Sequence, residues 1–115
     1  MQNETGPISF DDFMKVEVRV GRVVEVRDFP RARKPAYQLR VDFGELGERW
    51  SSAQLVQNYT PEDLEGRLVL AVVNFPPRQI ATLMSEVLVL GVPDAAGGVV
   101  LVEPERDVPL GSRLY

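Results

Sequence analysis

The sequence predicts one small, mainly-β domain closed as a five-stranded barrel with short helices, and three observations predict it. The chain has 115 residues, 44% apolar and 26% charged, which is enough for one core and unlike a disordered composition. Period-two alternation of apolar and polar residues recurs along its first half. A short, strongly punctuated helical segment then separates the third strand-like stretch from the fourth.

Ser9 opens the first element as an N-cap, with Asp11 and Asp12 in the first turn, where the helix dipole favours anions. Phe10, Phe13 and Met14 fall at i, i+3 and i+4, so residues 9–15 read as a short helix laid against something apolar. In KVEVRVGRVVEVRDF, Val16, Val18, Val20, Val24 and Val26 alternate with charged residues. Gly21 interrupts that run and predicts a bulge or bend, which lets one long strand serve both halves of a closed sheet. FPRARKPA, with two prolines and three basic residues, is a loop. YQLRVDF points Tyr37, Leu39, Val41 and Phe43 inward and Gln38, Arg40 and Asp42 outward.

GERWSSAQLV reads as the third strand. TPEDLEG follows as a helix, with Thr60 at the N-cap, Pro61 at N1 and Gly66 as terminator. LVLAVV and VLVLG are continuous apolar runs, as in strands covered on both faces, and GGVVLVEP adds one more short strand. A five-stranded Greek-key barrel with a helix between its third and fourth strands is the OB-fold, which commonly binds oligonucleotides on its strand 2–3 face. Residues 1–115 show neither repeat nor linker and form one domain.

Composition also excludes. With no Cys and no His, thiolate and imidazole metal sites cannot form, and the two usual bases of nucleophilic catalysis are missing. The reading is a protein that is not an enzyme, with no metal and no cofactor. There is no apolar run long enough to span a membrane, and MQNETGPISF lacks the pattern of a secretory leader, so a cytoplasmic location is the default. The net charge of −4 argues against a molecule that wraps nucleic acid with its whole surface. The charges are segregated, however. Arg27, Arg31, Arg33 and Lys34 cluster around Asp28, while Glu62, Asp63, Glu65, Glu103, Glu105 and Asp107 collect elsewhere, which allows one basic face.

RVGRVVEV, ARKPAYQLRVDFG, SSAQLVQNY, VVNFPPRQIA and SEVLVLGVP, in that order and spacing, resemble the motifs of the CsaA family from about Phe13 to Tyr115. That family is described as an export-related chaperone built on the fold of the tRNA-binding domain. The resemblance implies a homodimer of OB-folds, sealed by helix 9–15 and tail 103–115, with Phe10, Phe13, Met14, Leu110, Leu114 and Tyr115 at the contact. It also implies affinity for tRNA and for unfolded polypeptide or preprotein. Gln38 where relatives often carry Lys, Thr82 in place of a usual Gly, and Trp50 at a commonly polar position depart from the family pattern and bear on ligand preference.

The candidate site residues each have a plain alternative. Arg31, Arg33 and Lys34 lie between two prolines that hold them in place, as phosphate contacts would need, although a solubilising loop would look the same. Alternation sets Ser52 and Gln54 on the face of Trp50, and Ser51 on the other. An aromatic plane with hydroxyl and amide groups suits an unstacked base or a peptide backbone, and the alternative is a core Trp50 with serines at a sheet edge. Arg40 and Arg78 complete the candidate nucleic-acid contacts. Asn74, Phe75, Pro76 and Pro77 form a rigid, extended exit from the fourth strand, either a wall of a peptide groove or a tight closing loop. Ser85 and Glu86 are candidates for peptide contact as well, while acids entering strands often pin turns. Two functions follow: a chaperone for unfolded or exported polypeptides, favoured for basic segments by the net acidity, or a tRNA-binding module without chaperone activity.

Overall fold

The computed structural model describes residues 6–115; the first five residues of the segment read as lacking a leader lie outside it. Helix α1 (Phe10–Met14) starts where expected. Ser9 and Asp12 form a capping box, each side chain accepting the other's backbone N–H, which satisfies two of the helix's orphan donors.

Strand β1 (Val18–Asp28) pairs antiparallel with β2 (Tyr37–Asp42), which pairs with β3 (Glu48–Ala53) after a single 3-10 turn at Gly44–Leu46. Helix α2 (Pro61–Leu64) has the predicted Thr60 cap and Pro61, and Gly66 at φ 86 ends it in the left-handed region. Strand β4 (Leu68–Val72) returns to the far side of β1, and β7 (Leu88–Val89) pairs with β4, giving the sheet order β3-β2-β1-β4-β7. Side chains of β3 and residues 85–87 bridge the remaining gap, so the five strands form a nearly closed antiparallel barrel of OB type. Two hairpins complete the chain: β5 (Arg78–Ile80) with β6 (Leu83–Ser85), and β8 (Gly91–Pro93) with β9 (Val99–Leu101).

Two apolar clusters follow from the strand pattern. Inside the barrel, Val23, Leu39, Val41, Phe43, Leu64 and Val69 are fully buried, so the inward residues of YQLRVDF fall as predicted. Outside it, Val18, Val20, Leu68, Leu70 and Val72 pack under Val102, Val108 and Leu110. The tail lies along β1, through Gly111 N–H to Val20 O, Val20 N–H to Ser112 O and Leu114 N–H to Val18 O. Strand β4 is therefore covered on both faces, as its continuous apolar run predicts.

Several expectations are corrected. The bulge in β1 falls between Val23 and Glu25, not at Gly21, so Val23 points into the barrel and Val24 out. Gly21 serves a close approach: a Cβ there would lie 2.4 Å from a Val41 methyl and 2.8 Å from the Phe43 ring. β3 ends at Ala53, where the chain turns with Leu55 N–H donating to Ala53 O, so GERWSSAQLV is only partly strand. VLVLG is not covered on both faces: its ladder with β4 is limited to Leu88–Val89, and Leu88 is half exposed. RQIA belongs to a hairpin, whose turn holds Ala81 at φ 51. The left-handed position that favours glycine is thus Ala81, one residue before Thr82.

Candidate functional site

A groove of about 1340 Å³ opens between the loop after β1 and the β5–β6 hairpin. One wall is Ala32, Arg33, Lys34 and Ala36. Buried Phe29 and Ala36 anchor that loop at both ends, so its basic tip is held beside the groove while Arg31, Arg33 and Lys34 remain exposed. The opposite wall carries Phe75, Pro76, Arg78 and Ile80, and the floor runs from Ser52 and Gln54 to Ser85, Glu86, Val87 and Leu88. Phe75 is 51% and Leu88 49% exposed, so the groove offers apolar surface as well as charge.

The cations sort sharply. Of the thirteen Lys and Arg residues, seven sit in ion pairs, and Arg49 and Arg113 donate to backbone carbonyls. The four without an ion pair or hydrogen bond among the described residues are Arg31, Arg33, Lys34 and Arg78. Three of these line the groove, and the fourth adjoins it in sequence. Among the described residues the groove's one carboxylate, Glu86, accepts Trp50 N–H through Oε2 at 2.8 Å. A cationic rim beside a polar floor and an apolar wall is suited to an anionic ligand that also carries flat or apolar parts.

Other predicted residues are placed elsewhere. Ser51 is fully buried, its Oγ 3.1 Å from Val87 O, and cannot reach a ligand, because inward-facing residues of β3 point into the barrel. Asn74 lies outside the groove with both ends of its amide engaged: Oδ1 accepts Glu17 N–H and Nδ2 donates to Lys15 O, clasping the start of β1. Pro77 does not line the groove. Arg40 is on the outer sheet face between Glu25 and Glu48, whose carboxylates hold its charge and raise its pKa. Glu25 is correspondingly held below the usual carboxylate range, by Arg27 first and Arg40 second. Trp50 is on that same outer face, half-buried, with the Arg27 guanidinium 4.8 Å from its ring centre. Its plane is capped rather than open to the groove.

Sequence reasoning missed Ile80 and Leu88. Ile80 belongs to no predicted element, and Leu88 fell inside a run read as fully covered. At the other end of the molecule α1 buries none of its residues, with Phe10 69% exposed and Phe13 also exposed. Arg113 Nη2 ties the tail to Met14 O, beside exposed Leu114 and Tyr115. Leu110, expected at a subunit contact, packs within the chain. Among the described residues no helix is long and apolar enough to cross a membrane.

The fold is thus an OB-type barrel with an anchored cationic loop beside a groove. Residues 18–113 match the family described as a putative tRNA-binding domain. The chain belongs to this tRNA-binding-domain family, in its CsaA-type form. It is 46% identical to the chaperone CsaA structure from Bacillus anthracis, at a TM-score of 0.89 over 96% of this chain and 100% of that one. The CsaA chaperone structure from Picrophilus torridus gives 45% and 0.87, over 95% and 100%. A methionine–tRNA ligase of Porphyromonas gingivalis is 36% identical over 107 residues, which is 93% of this chain but 15% of that enzyme. The chain thus spans about a seventh of that relative's length.

Proposed function

We propose that residues 1–115 form one non-catalytic domain whose groove binds tRNA. The observation that carries this reading is the set of four cations at or next to one groove that have no partner among the described residues, where the other cations are ion-paired or hydrogen-bonded. Holding like charges together without counterions opposes folding, and an RNA backbone supplies the missing anions. The ligase likeness supports the same reading, because the matched stretch is the putative tRNA-binding domain.

A second reading, capture of unfolded polypeptide or preprotein, is favoured by the exposed apolar surface of Phe75 and Leu88 and by the likeness to structures titled chaperone CsaA. The preference for basic segments argued from net charge does not carry over, since the groove itself is cationic. For the exposed apolar faces of α1 and the tail end, we propose a homodimer contact through Phe10, Phe13, Leu114 and Tyr115, checked by sedimentation of wild-type protein against a Phe10→Ser, Phe13→Ser variant.

The test is binding of labelled bulk tRNA at low and near-physiological salt, with an unfolded peptide as competitor. Salt-sensitive binding that resists the peptide is expected. Absent or salt-independent tRNA binding, with the peptide captured instead, would transfer the groove to the chaperone reading.

A further inference from the structure

The barrel closes at one place without a strand ladder, where β3 meets the end of β6 and the two residues after it. Between β3 and residues 85–87 a single main-chain bond forms, Glu86 N–H to Trp50 O at 2.8 Å. The other bonds use side chains. Glu86 Oε2 accepts Trp50 N–H at 2.8 Å, Ser85 Oγ accepts Ser52 N–H at 3.0 Å, and Ser51 Oγ donates to Val87 O at 3.1 Å. Ser52, Ser85, Glu86 and Val87 are at the same time the floor of the groove.

We infer that Ser85 and Glu86 are positioning residues, whose side chains replace missing strand pairing beneath the groove and fix its floor, while Glu86 also supplies the only negative charge among the described residues of the groove. Peptide or RNA contact is not their primary role. One carboxylate oxygen of Glu86 and the hydroxyl of Ser85 already accept β3 amides, and an edge strand with unpaired N–H groups would otherwise open the barrel. The carboxylate opposes anion binding as it closes the floor, so the two effects of Glu86 have opposite sign and are separable by substitution.

Glu86→Gln keeps an acceptor oxygen and removes the charge. Glu86→Ala removes both, and Ser85→Ala tests the second bond without changing charge. The measurements are amide hydrogen exchange at Trp50 and Ser52, and tRNA affinity at low salt, the latter resting on the reading proposed above. In Glu86→Ala, exchange at Trp50 accelerates about tenfold, the effect of one lost hydrogen bond, and in Ser85→Ala the same occurs at Ser52. In Glu86→Gln, Trp50 remains protected and tRNA binds roughly twofold tighter, the size of one like-charge interaction at an exposed site. Unchanged exchange in both alanine variants would overturn the positioning role, whether or not tRNA binds. Weaker tRNA binding in Glu86→Gln with protection intact would show that Glu86 contacts the ligand directly.

Discussion

Neutralising two of the four unpartnered cations should halve the salt dependence of tRNA binding. Each phosphate contact contributes about −0.7 to −0.9 to the slope of log affinity against log salt, so four contacts give roughly −3 to −3.6. From 50 to 200 mM salt the wild-type protein should therefore lose about 50- to 150-fold in affinity. In an Arg33→Gln, Lys34→Gln variant two contacts remain, and the loss over the same interval falls to about tenfold. Both side chains are exposed and unpaired, so the substitutions should leave stability near its original value. Lys15→Gln is the control, because Lys15 is already paired with Asp12 on α1, away from the groove. Fluorescence anisotropy of labelled tRNA across a salt series reads all three proteins. A slope unaltered in the double variant, or lowered as much in the control, would refute a groove-centred contact and leave only a diffuse attraction.

Three further outcomes follow from local geometry. Gly21→Ala drives a methyl against fully buried Val41 and Phe43 and should cost about 2–3 kcal/mol, read as a lower urea midpoint at constant m-value; a loss under about 0.5 kcal/mol would mean the barrel interior yields. Ser51→Ala removes a buried hydroxyl shared between Ser52 O and Val87 O and should cost about 1–2 kcal/mol with no change in the tRNA salt slope; a changed slope would return Ser51 to the ligand. Glu25, held low by Arg27 and Arg40, contributes stability that is present above its unfolded value of 4.5 and is lost as pH falls through the folded one. Glu25→Gln should make the acid-side decline of the urea midpoint shallower between neutral pH and pH 3, and an identical decline would deny that linkage.

Strand periodicity and cap chemistry are local, and they were legible. The inward set of β2, the Ser9 and Thr60 caps and the doubly covered β4 all fall where their residue patterns put them. The basic loop was legible too, because two prolines and three cations have no place in a core. What failed depends on residues far apart in sequence. Gly21 reads as a bend until Val41 and Phe43 are seen occupying its side-chain position. Alternation groups Trp50 with Ser52 and Gln54 on one face but says nothing of Arg27, whose guanidinium comes from β1 to cover the ring. Leu88 looks buried within VLVLG because an apolar run does not show where the neighbouring strand ends; β4 provides pairing for only two residues. Ser51 and Ser52 differ wholly in fate across one peptide bond, one sealed inside and one on the groove floor, which is the period of a strand and nothing more.

Net charge misdirects for a related reason. The formal −4 counts every residue equally, yet seven of the thirteen cations are ion-paired with carboxylates of the same chain. Many of the acids gather at a separate shallow site formed by Asp63, Glu65, Glu103, Glu105 and Asp107, among Arg22, Arg67 and Arg106. No residue is shared between that site and the groove. At physiological ionic strength, charges more than about 8 Å apart are largely screened, so a phosphate inside the groove responds to Arg33, Lys34 and Arg78 far more than to the distant acids. As salt falls, the screening length grows and the acids begin to oppose approach. The salt curve should therefore flatten below about 30 mM, where the Debye length approaches 20 Å, instead of continuing straight. A uniformly basic binder has no such flattening, and a curve straight to the lowest salt would show that the acidic site is too remote to matter.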